Sequence, residues 1–213
     1  MTGASPPDRA DTEGRERYMD AQTLGAYERD AATYADEWHA QPTDGELRET
    51  VCAHFRPGPT ADIGCGAGRD TAWLVEAGFE AVGYDASPAL LAEARRRHPG
   101  IPFEQASLPD LVGVGDGAFQ NVLCETVVMH LPPDELVASV QRIAAVLVPG
   151  GTLYLTWRVT QGAPRRDEHG RLYAGFDAQV IRDALGRCTV LVDEEVTSES
   201  SGRTIHRLIA RTP

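Results

Sequence analysis

Apolar residues recur along this chain with two periods, and the period switches repeatedly. Between Tyr18 and about Phe55 the spacing is helical. Leu24, Tyr27, Ala31, Tyr34, Ala35 and Trp38 recur at three and four, Gln41-Pro42-Thr43-Asp44-Gly45 interrupts them, and a second helix is predicted over Glu46 to Phe55. Beyond the Pro57-Gly58-Pro59 turn, short apolar runs alternate with amphipathic stretches. A strand ending at Asp62-Ile63 runs into Gly64, Gly66 and Gly68; a helix then carries Trp73, Leu74 and Ala77 on one face and stops at Gly78. A second strand, Ala81 to Tyr84, delivers Asp85 at its end. Ser87 and Pro88 are placed as N-cap and first residue of a helix with Leu90, Leu91 and Ala94 inward, and its last turn holds Arg95, Arg96 and Arg97, where cations suit the dipole. Further strands are predicted at Ile101 to Phe103, Phe119 to Leu123 and Thr152 to Trp157, with a helix over Glu135 to Leu147. Arg158 to Gly175 reads as a long polar loop, Phe176 to Gly186 as a short helix, and Thr189 to Val196 with Arg203 to Arg211 as two closing strands. Strands separated by helices predict an α/β sheet.

Ala61 to Asp85 is the stretch that carries chemistry. Glycine lets the backbone turn tightly and lets a ligand approach without meeting a Cβ. The helix that follows offers unpaired N–H groups and the positive end of its dipole to an anion. An acid at the end of the next strand, nineteen residues after Gly66, is placed to hold the two hydroxyls of a ribose. The glycines run G-x-G-x-G, with Arg69 where the spaced third glycine of a dinucleotide fingerprint would fall.

Composition narrows the classes. With 213 residues and 42% apolar content, one domain plus an extension is expected. Residues 1–17 read as a disordered tail, 18–56 as a helical cap and 57–213 as a ligand-binding domain. The formal net charge is −12 and the sequence has no lysine, so nucleic acid is not expected as a partner. No signal-peptide pattern and no membrane-length apolar run is present, and a cytoplasmic location is expected. Cys52, Cys65, Cys124 and Cys188 are scattered, which suggests neither a zinc site nor a disulfide framework; no metal is expected.

The motif Asp62-Ile63-Gly64-Cys65-Gly66-Ala67-Gly68 resembles motif I of the class I S-adenosylmethionine-dependent methyltransferases, and the Arg69-Asp70 that follows resembles a variant among small-molecule and tellurite-resistance-type members. Three further stretches resemble the family in its order: Asp85 after the second strand, Cys124-Glu125-Thr126-Val127-Val128-Met129-His130-Leu131 after the fourth, and Leu147-Val148-Pro149-Gly150-Gly151-Thr152-Leu153 before the fifth. The resemblance spans residues 60 to 158 and implies a Rossmann-like seven-stranded sheet of order 3-2-1-4-5-7-6. Its last strand would be antiparallel, with helices on both faces and the helical cap over the cofactor.

The same resemblance implies S-adenosylmethionine as cofactor, S-adenosylhomocysteine as product, and methyl transfer to an O, N or S atom of a small-molecule acceptor by a monomer or homodimer. The cofactor contacts it implies are Asp62, Gly64, Cys65, Gly66, Gly68, Arg69, Asp85, Ala86, Cys124 and Glu125, with Ser107 and Leu108 flanking adenine. Ser107 departs from the pattern, since family members carry an acid there, and a neutral hydroxyl accepts a weaker bond. Tyr27, Tyr34 and Trp38 lie in a segment similar to the family's Tyr-x-x-x-A-x-x-Tyr cap. Trp38 and Tyr34 are candidates for the acceptor pocket, and Tyr27 reads as packing.

His130 is the candidate general base, with Glu125 as an alternative base or as partner of the cofactor's ammonium. Arg158 and Tyr173, with Arg165 and Arg166, are candidates for binding an anionic acceptor. Three other readings stay open: a non-catalytic cofactor- or partner-binding protein of the same fold, methylation of a protein or tRNA, and a nicotinamide-dependent oxidoreductase. The last would ordinarily need the spaced glycine and a Tyr/Lys set, and this chain has no lysine.

Overall fold

A computed structural model describes residues 19–160 and 162–213; the tail expected at 1–17, and Tyr18, lie outside the described residues. The main sheet contains β1 (Pro59–Ile63), β2 (Glu80–Asp85), β3 (Phe103–Gln105), β4 (Phe119–Cys124), β5 (Leu147–Arg158), β8 (Thr189–Thr197) and β9 (Thr204–Arg211). Between β5 and β8 a separate ribbon forms from β6 (Arg165–Arg166) and β7 (Leu172–Tyr173). The sheet order is β3-β2-β1-β4-β5-β9-β8; with the ribbon set aside, this is 3-2-1-4-5-7-6. β1 to β5 are parallel, and β9 runs antiparallel to both β5 and β8. The fold is thus the Rossmann-like methyltransferase sheet.

The apolar runs in the central strands are long because both faces are covered. Val122, Cys124, Leu153, Leu155 and Leu208 face α6 (Leu136–Ala145) and α7 (Ala178–Leu185), where Val140, Ile143 and Ile181 are buried with them. Their neighbours in sequence, Leu123, Tyr154 and Ile209, point the other way, into a cluster with Leu47, Val51, Trp73 and Leu74 of α3 (Gly45–His54) and α4 (Arg69–Glu76). α5 (Pro88–Arg97) starts as expected: Ser87 Oγ accepts from Leu90 N at 3.1 Å and Pro88 opens the helix. Its arginines are spent on protein contacts, Arg96 and Arg97 pairing with Glu93 and Arg97 also with Asp36.

Four local expectations are corrected. The helical segment before Gln41 is two helices, α1 (Ala21–Arg29) and α2 (Ala31–Ala40), broken at Asp30. Tyr27 and Trp38 are eleven residues apart, about 16 Å along a continuous helix; the break brings their rings to 6.0 Å. β3 lies two residues later than expected, because Pro102 has no N–H to give and instead accepts from Gly83 N at 3.0 Å. α6 begins at Leu136 and ends at Ala145, short of the Glu135 to Leu147 span, while β5 already starts at Leu147.

The fourth correction concerns residues 158–175, which are not simply a loop: Leu172, Tyr173 and Ala174 are buried. The ribbon clasps the cap, with Leu172 N donating to Thr23 Oγ1 at 2.8 Å and Arg166 making two bonds to the Asp20 carboxylate at 2.7 and 2.8 Å. That ion pair, together with the Thr23 bonds, pulls the Asp20 carboxyl down to about 2 despite the opposing cost of burial.

Candidate functional site

A cleft opens at the carboxyl ends of β1, β2, β4 and β5, under α1 and α2, the place where α/β sheets bind ligands. Its floor is the glycine turn. Gly64, Gly66 and Gly68 have φ of +77°, +54° and +81°, so all three need glycine for conformation. Space decides their separate roles. A Cβ on Gly64 would come within 2.2 Å of Val127 Cγ2, and one on Gly68 within 2.6 Å of Phe103 Cζ. At these two glycines the space a Cβ would take is filled by protein side chains. At Gly66 the atom a Cβ would meet is Trp38 Cζ3 at 2.8 Å, on a side chain of the cap that also lines the cleft.

Asp85 is 8% exposed, and its two carboxylate oxygens accept from Gly66 N and Ser87 N, both at 2.8 Å. Burial raises its pKa, and the bonds from Ser87, Gly66 and Ala86 N–H oppose this. Each oxygen keeps a further lone pair, enough for the two hydroxyls of a ribose. Glu125 and Asp70 also line the cleft. Burial, and then the Asp70 charge, push Glu125 up to about 8. Asp62 stands beneath the turn, accepting from Thr71 Oγ1 at 2.6 Å, with burial pushing it to about 7. This acidic half of the cleft suits a cation.

Arg69 lines the cleft, but its guanidinium holds the cap in place: it donates to the Trp38 carbonyl at 3.1 Å, at the C-terminal turn of α2, and pairs with Asp70. Thr126, in the turn after β4, has φ +55°, rare for a β-branched residue. Its N–H is shared between Thr156 O at 3.1 Å and Thr156 Oγ1 at 3.0 Å, which anchors the turn to β5.

The opposite wall is aromatic and cationic. Tyr27, His130, Tyr173, Arg158 and Arg171 line it. Arg171 lies over Tyr34, Tyr27 and Tyr173, 5.0, 5.7 and 5.9 Å from their ring centroids, and its charge is matched by Asp167 at 2.7 Å. Arg158 lies 4.9 Å over Tyr173. No carboxylate pairs with Arg158 among the described residues. His130 is buried in the short 3-10 helix Val128–His130; its Nδ1 is 2.5 Å from the Leu172 carbonyl oxygen and its Nε2 is 3.1 Å from Tyr27 Oη. Burial, with Arg171 and Arg158 nearby, pulls its pKa to about 4 against the support of the Leu172 bond.

Of the expected site residues, the cleft gathers Gly64, Cys65, Gly66, Arg69, Asp85 and Glu125 on one side, and Trp38, His130, Arg158 and Tyr173 on the other. Asp62, Gly68, Ala86 and Cys124 support it from outside the lining, and burial pushes the Cys65 and Cys124 thiols up, against nucleophilic roles. Ser107 and Leu108 also stand outside it; Ser107 Oγ donates to Leu108 O at 2.9 Å and accepts from Met19 N at 3.4 Å.

The cap residues exchange roles. Tyr27, read as packing, faces the cleft, while Tyr34 is 4% exposed, stacks on Trp38 and packs on Leu90. Arg166 is occupied by Asp20. Asp70 and Thr126 fall inside the quoted motifs without a site role assigned to them, and Arg171 falls outside them; the apolar Leu172-Tyr173-Ala174 triplet inside a polar stretch is the available signal for Arg171. Among the described residues no group of His, Cys, Asp and Glu is arranged to hold a metal, and no helix is long and apolar enough to cross a membrane.

Comparison with known proteins agrees with this architecture. Residues 61–151 match the family described as "Methyltransferase domain". A trans-aconitate 2-methyltransferase of Methylobacterium nodulans is 38% identical over 129 residues, 58% of this chain and 47% of that protein. A ubiquinone biosynthesis O-methyltransferase of Methylococcus capsulatus is 37% identical over 100 residues, 45% of this chain and 41% of that one. The chain spans under half the length of these curated relatives. Among solved structures, the Burkholderia thailandensis 1,6-didemethyltoxoflavin-N1-methyltransferase, determined with 1,6-didemethyltoxoflavin and S-adenosylhomocysteine bound, superposes with a TM-score of 0.73 at 24% identity, over 90% of this chain and 88% of that one.

Sheet order, glycine turn and terminal acid define a Rossmann-like methyltransferase domain. Over residues 61–151 the chain is similar to that methyltransferase-domain family, and its fold is that of the S-adenosylmethionine-dependent methyltransferases.

Proposed function

We propose that this protein transfers the methyl group of S-adenosylmethionine to an O, N or S atom of a small-molecule acceptor that carries an anionic group. The observation that carries this reading is the two-sided cleft, with acids and the glycine turn on one side and tyrosines with an unmatched arginine on the other. When bound, the cofactor supplies an electrophilic methyl on a positively charged sulfur, which departs as a neutral thioether. Gly66 gives the close backbone approach, Asp85 takes the ribose hydroxyls, and Glu125 with Asp70 attracts the ammonium. Ser107 and Leu108 flank the adenine. Arg158, resting on Tyr173, holds the acceptor's anion, and Trp38 closes over both ligands. Alignment of this kind contributes about 7–11 kcal/mol of the barrier reduction.

Calorimetry with S-adenosylmethionine, S-adenosylhomocysteine and NAD tests the reading. Both adenosyl ligands bind and NAD does not; NAD binding alone overturns it. Because the Asp85 carboxylate also holds two backbone N–H groups, Asp85→Asn is a better probe than alanine. Losing a bond to a charged acceptor costs about 1.5–3 kcal/mol, so affinity falls roughly ten- to hundredfold. Unchanged affinity defeats the ribose assignment.

A further inference from the structure

His130 reads from sequence as the general base, but its surroundings do not leave it free to meet an acceptor. The Leu172 carbonyl can only accept, so the hydrogen on the imidazole sits at Nδ1. Nε2 is then the lone-pair nitrogen, and Tyr27 Oη donates to it. His130 is 4% exposed and Tyr27 half-buried; both line the cleft, but the Tyr27 hydroxyl occupies Nε2, the one nitrogen of the imidazole that could take a proton. Because its hydrogen points at His130, Oη is an acceptor towards the cleft; Arg171 is one donor to it, and a lone pair remains for another.

We propose that Tyr27 is the catalytic residue that takes the acceptor's proton, and that His130 acts through it, receiving the Tyr27 proton at Nε2. This rests on the methyl-transfer reading above. As the acceptor's X–H bond breaks and its bond to the methyl carbon forms, the released proton passes to Tyr27 Oη. The hydroxyl's original proton moves to His130 Nε2. The tyrosine ends as it began, and the imidazole becomes an imidazolium with Nδ1 still donating to Leu172 O. The imidazolium takes up the one positive charge that the displacement removes, so the charge of the cleft is conserved. Loss of that proton to solvent after product leaves resets the pair.

The groups facing the pair suit a transient proton. Tyr173 from β7 packs edge-on against the His130 ring at 5.0 Å, and Tyr27 itself approaches from α1 at 5.8 Å. Burial pushes the Tyr27 hydroxyl well above its ordinary range and keeps it protonated at rest, while Arg171, matched by Asp167, lies over the ring and opposes that shift. Burial above all, then Arg171 and Arg158, disfavours a lasting imidazolium, and the Leu172 bond and Asp167 favour it.

A Tyr27–His130 bond that merely clamped α1 to the 3-10 helix would matter equally for every acceptor. A relay matters only for an acceptor with a proton to lose. The test uses Tyr27→Phe, which removes one oxygen and keeps the ring, with 4-hydroxybenzoate and 4-mercaptobenzoate as probes at pH 8, where the first has a protonated hydroxyl and the second is a thiolate. S-adenosylhomocysteine affinity, measured first, checks the underlying reading: its absence in the wild type sinks methyl transfer altogether. With affinity retained in the variant, kcat for O-methylation falls about 10²–10⁴-fold while S-methylation is within twofold of wild type. An equal fall for both probes, or none for O-methylation, overturns the relay. Nitrogen NMR of the histidine rings gives a readout independent of turnover, able to overturn the relay even if neither probe is methylated. An Nδ1–H tautomer at His130 supports the relay, and an Nε2–H tautomer overturns it.

Discussion

Replacing Gly64 by alanine should disrupt this protein in two separable ways. At φ +77° an L-residue is in the left-handed region, costing about 1–2 kcal/mol. The new Cβ would also sit 2.2 Å from Val127 Cγ2 and 3.2 Å from Cγ1, inside a buried contact, and overpacking of this kind costs about 1–3 kcal/mol. Together Gly64→Ala should lose about 2–5 kcal/mol of unfolding free energy. Val127→Ala alone removes two buried methyl groups, at about 0.8 kcal/mol each. In the double variant the collision disappears while the backbone strain stays. It should therefore be more stable than the sum of the singles by about 1–3 kcal/mol, the overpacking share. Urea unfolding of all four proteins, with constant m-values, measures the cycle. Additivity within about 0.5 kcal/mol would refute the claim that Gly64 exists to seat Val127. The contact matters for function because Val127 belongs to the turn that presents Glu125 and His130 to the cleft, so the glycine turn and the acceptor wall are packed on one another.

Three further outcomes follow from the same geometry. Gly66→Ala carries the same left-handed backbone strain, about 1–2 kcal/mol, but meets only the Trp38 ring edge, so it should cost less stability than Gly64→Ala while weakening S-adenosylhomocysteine binding at least tenfold and altering tryptophan fluorescence; a stability loss as large as that of Gly64→Ala, with unchanged affinity, would contradict the cleft-facing role. Burial and Asp70 hold Glu125 at about 8, above its ordinary 4.5, so this carboxyl stabilises the fold below pH 4.5 and loses that contribution as pH rises through 8. Wild-type stability should therefore fall more steeply from pH 5 to 8 than that of Glu125→Gln. A ligand ammonium beside it favours the carboxylate, so cofactor binding at pH 7 should release a proton, seen as a dependence of the heat on buffer ionisation enthalpy; no such dependence would place the ammonium elsewhere.

Sequence alone determined the sheet and its ligand-binding end. The glycine turn, Asp85, the Ser87-Pro88 start and the strand–helix alternation are local devices, each set by backbone conformation or by periodicity within one element. What it left undecided lies in contacts between segments far apart in the chain. Gly64 and Gly68 look alike in sequence to Gly66, yet Val127 and Phe103 fill the space over the first two. Tyr27 and Tyr34 share one helical pattern, but the break at Asp30 turns the first to the cleft and the second to Leu90. His130 carries the mark of a base, and only a ribbon 42 residues away, through the Leu172 carbonyl, fixes its tautomer and hands its lone pair to Tyr27. A residue's type limits the chemistry it can do; its long-range partners decide which lone pair, charge or surface remains for a ligand.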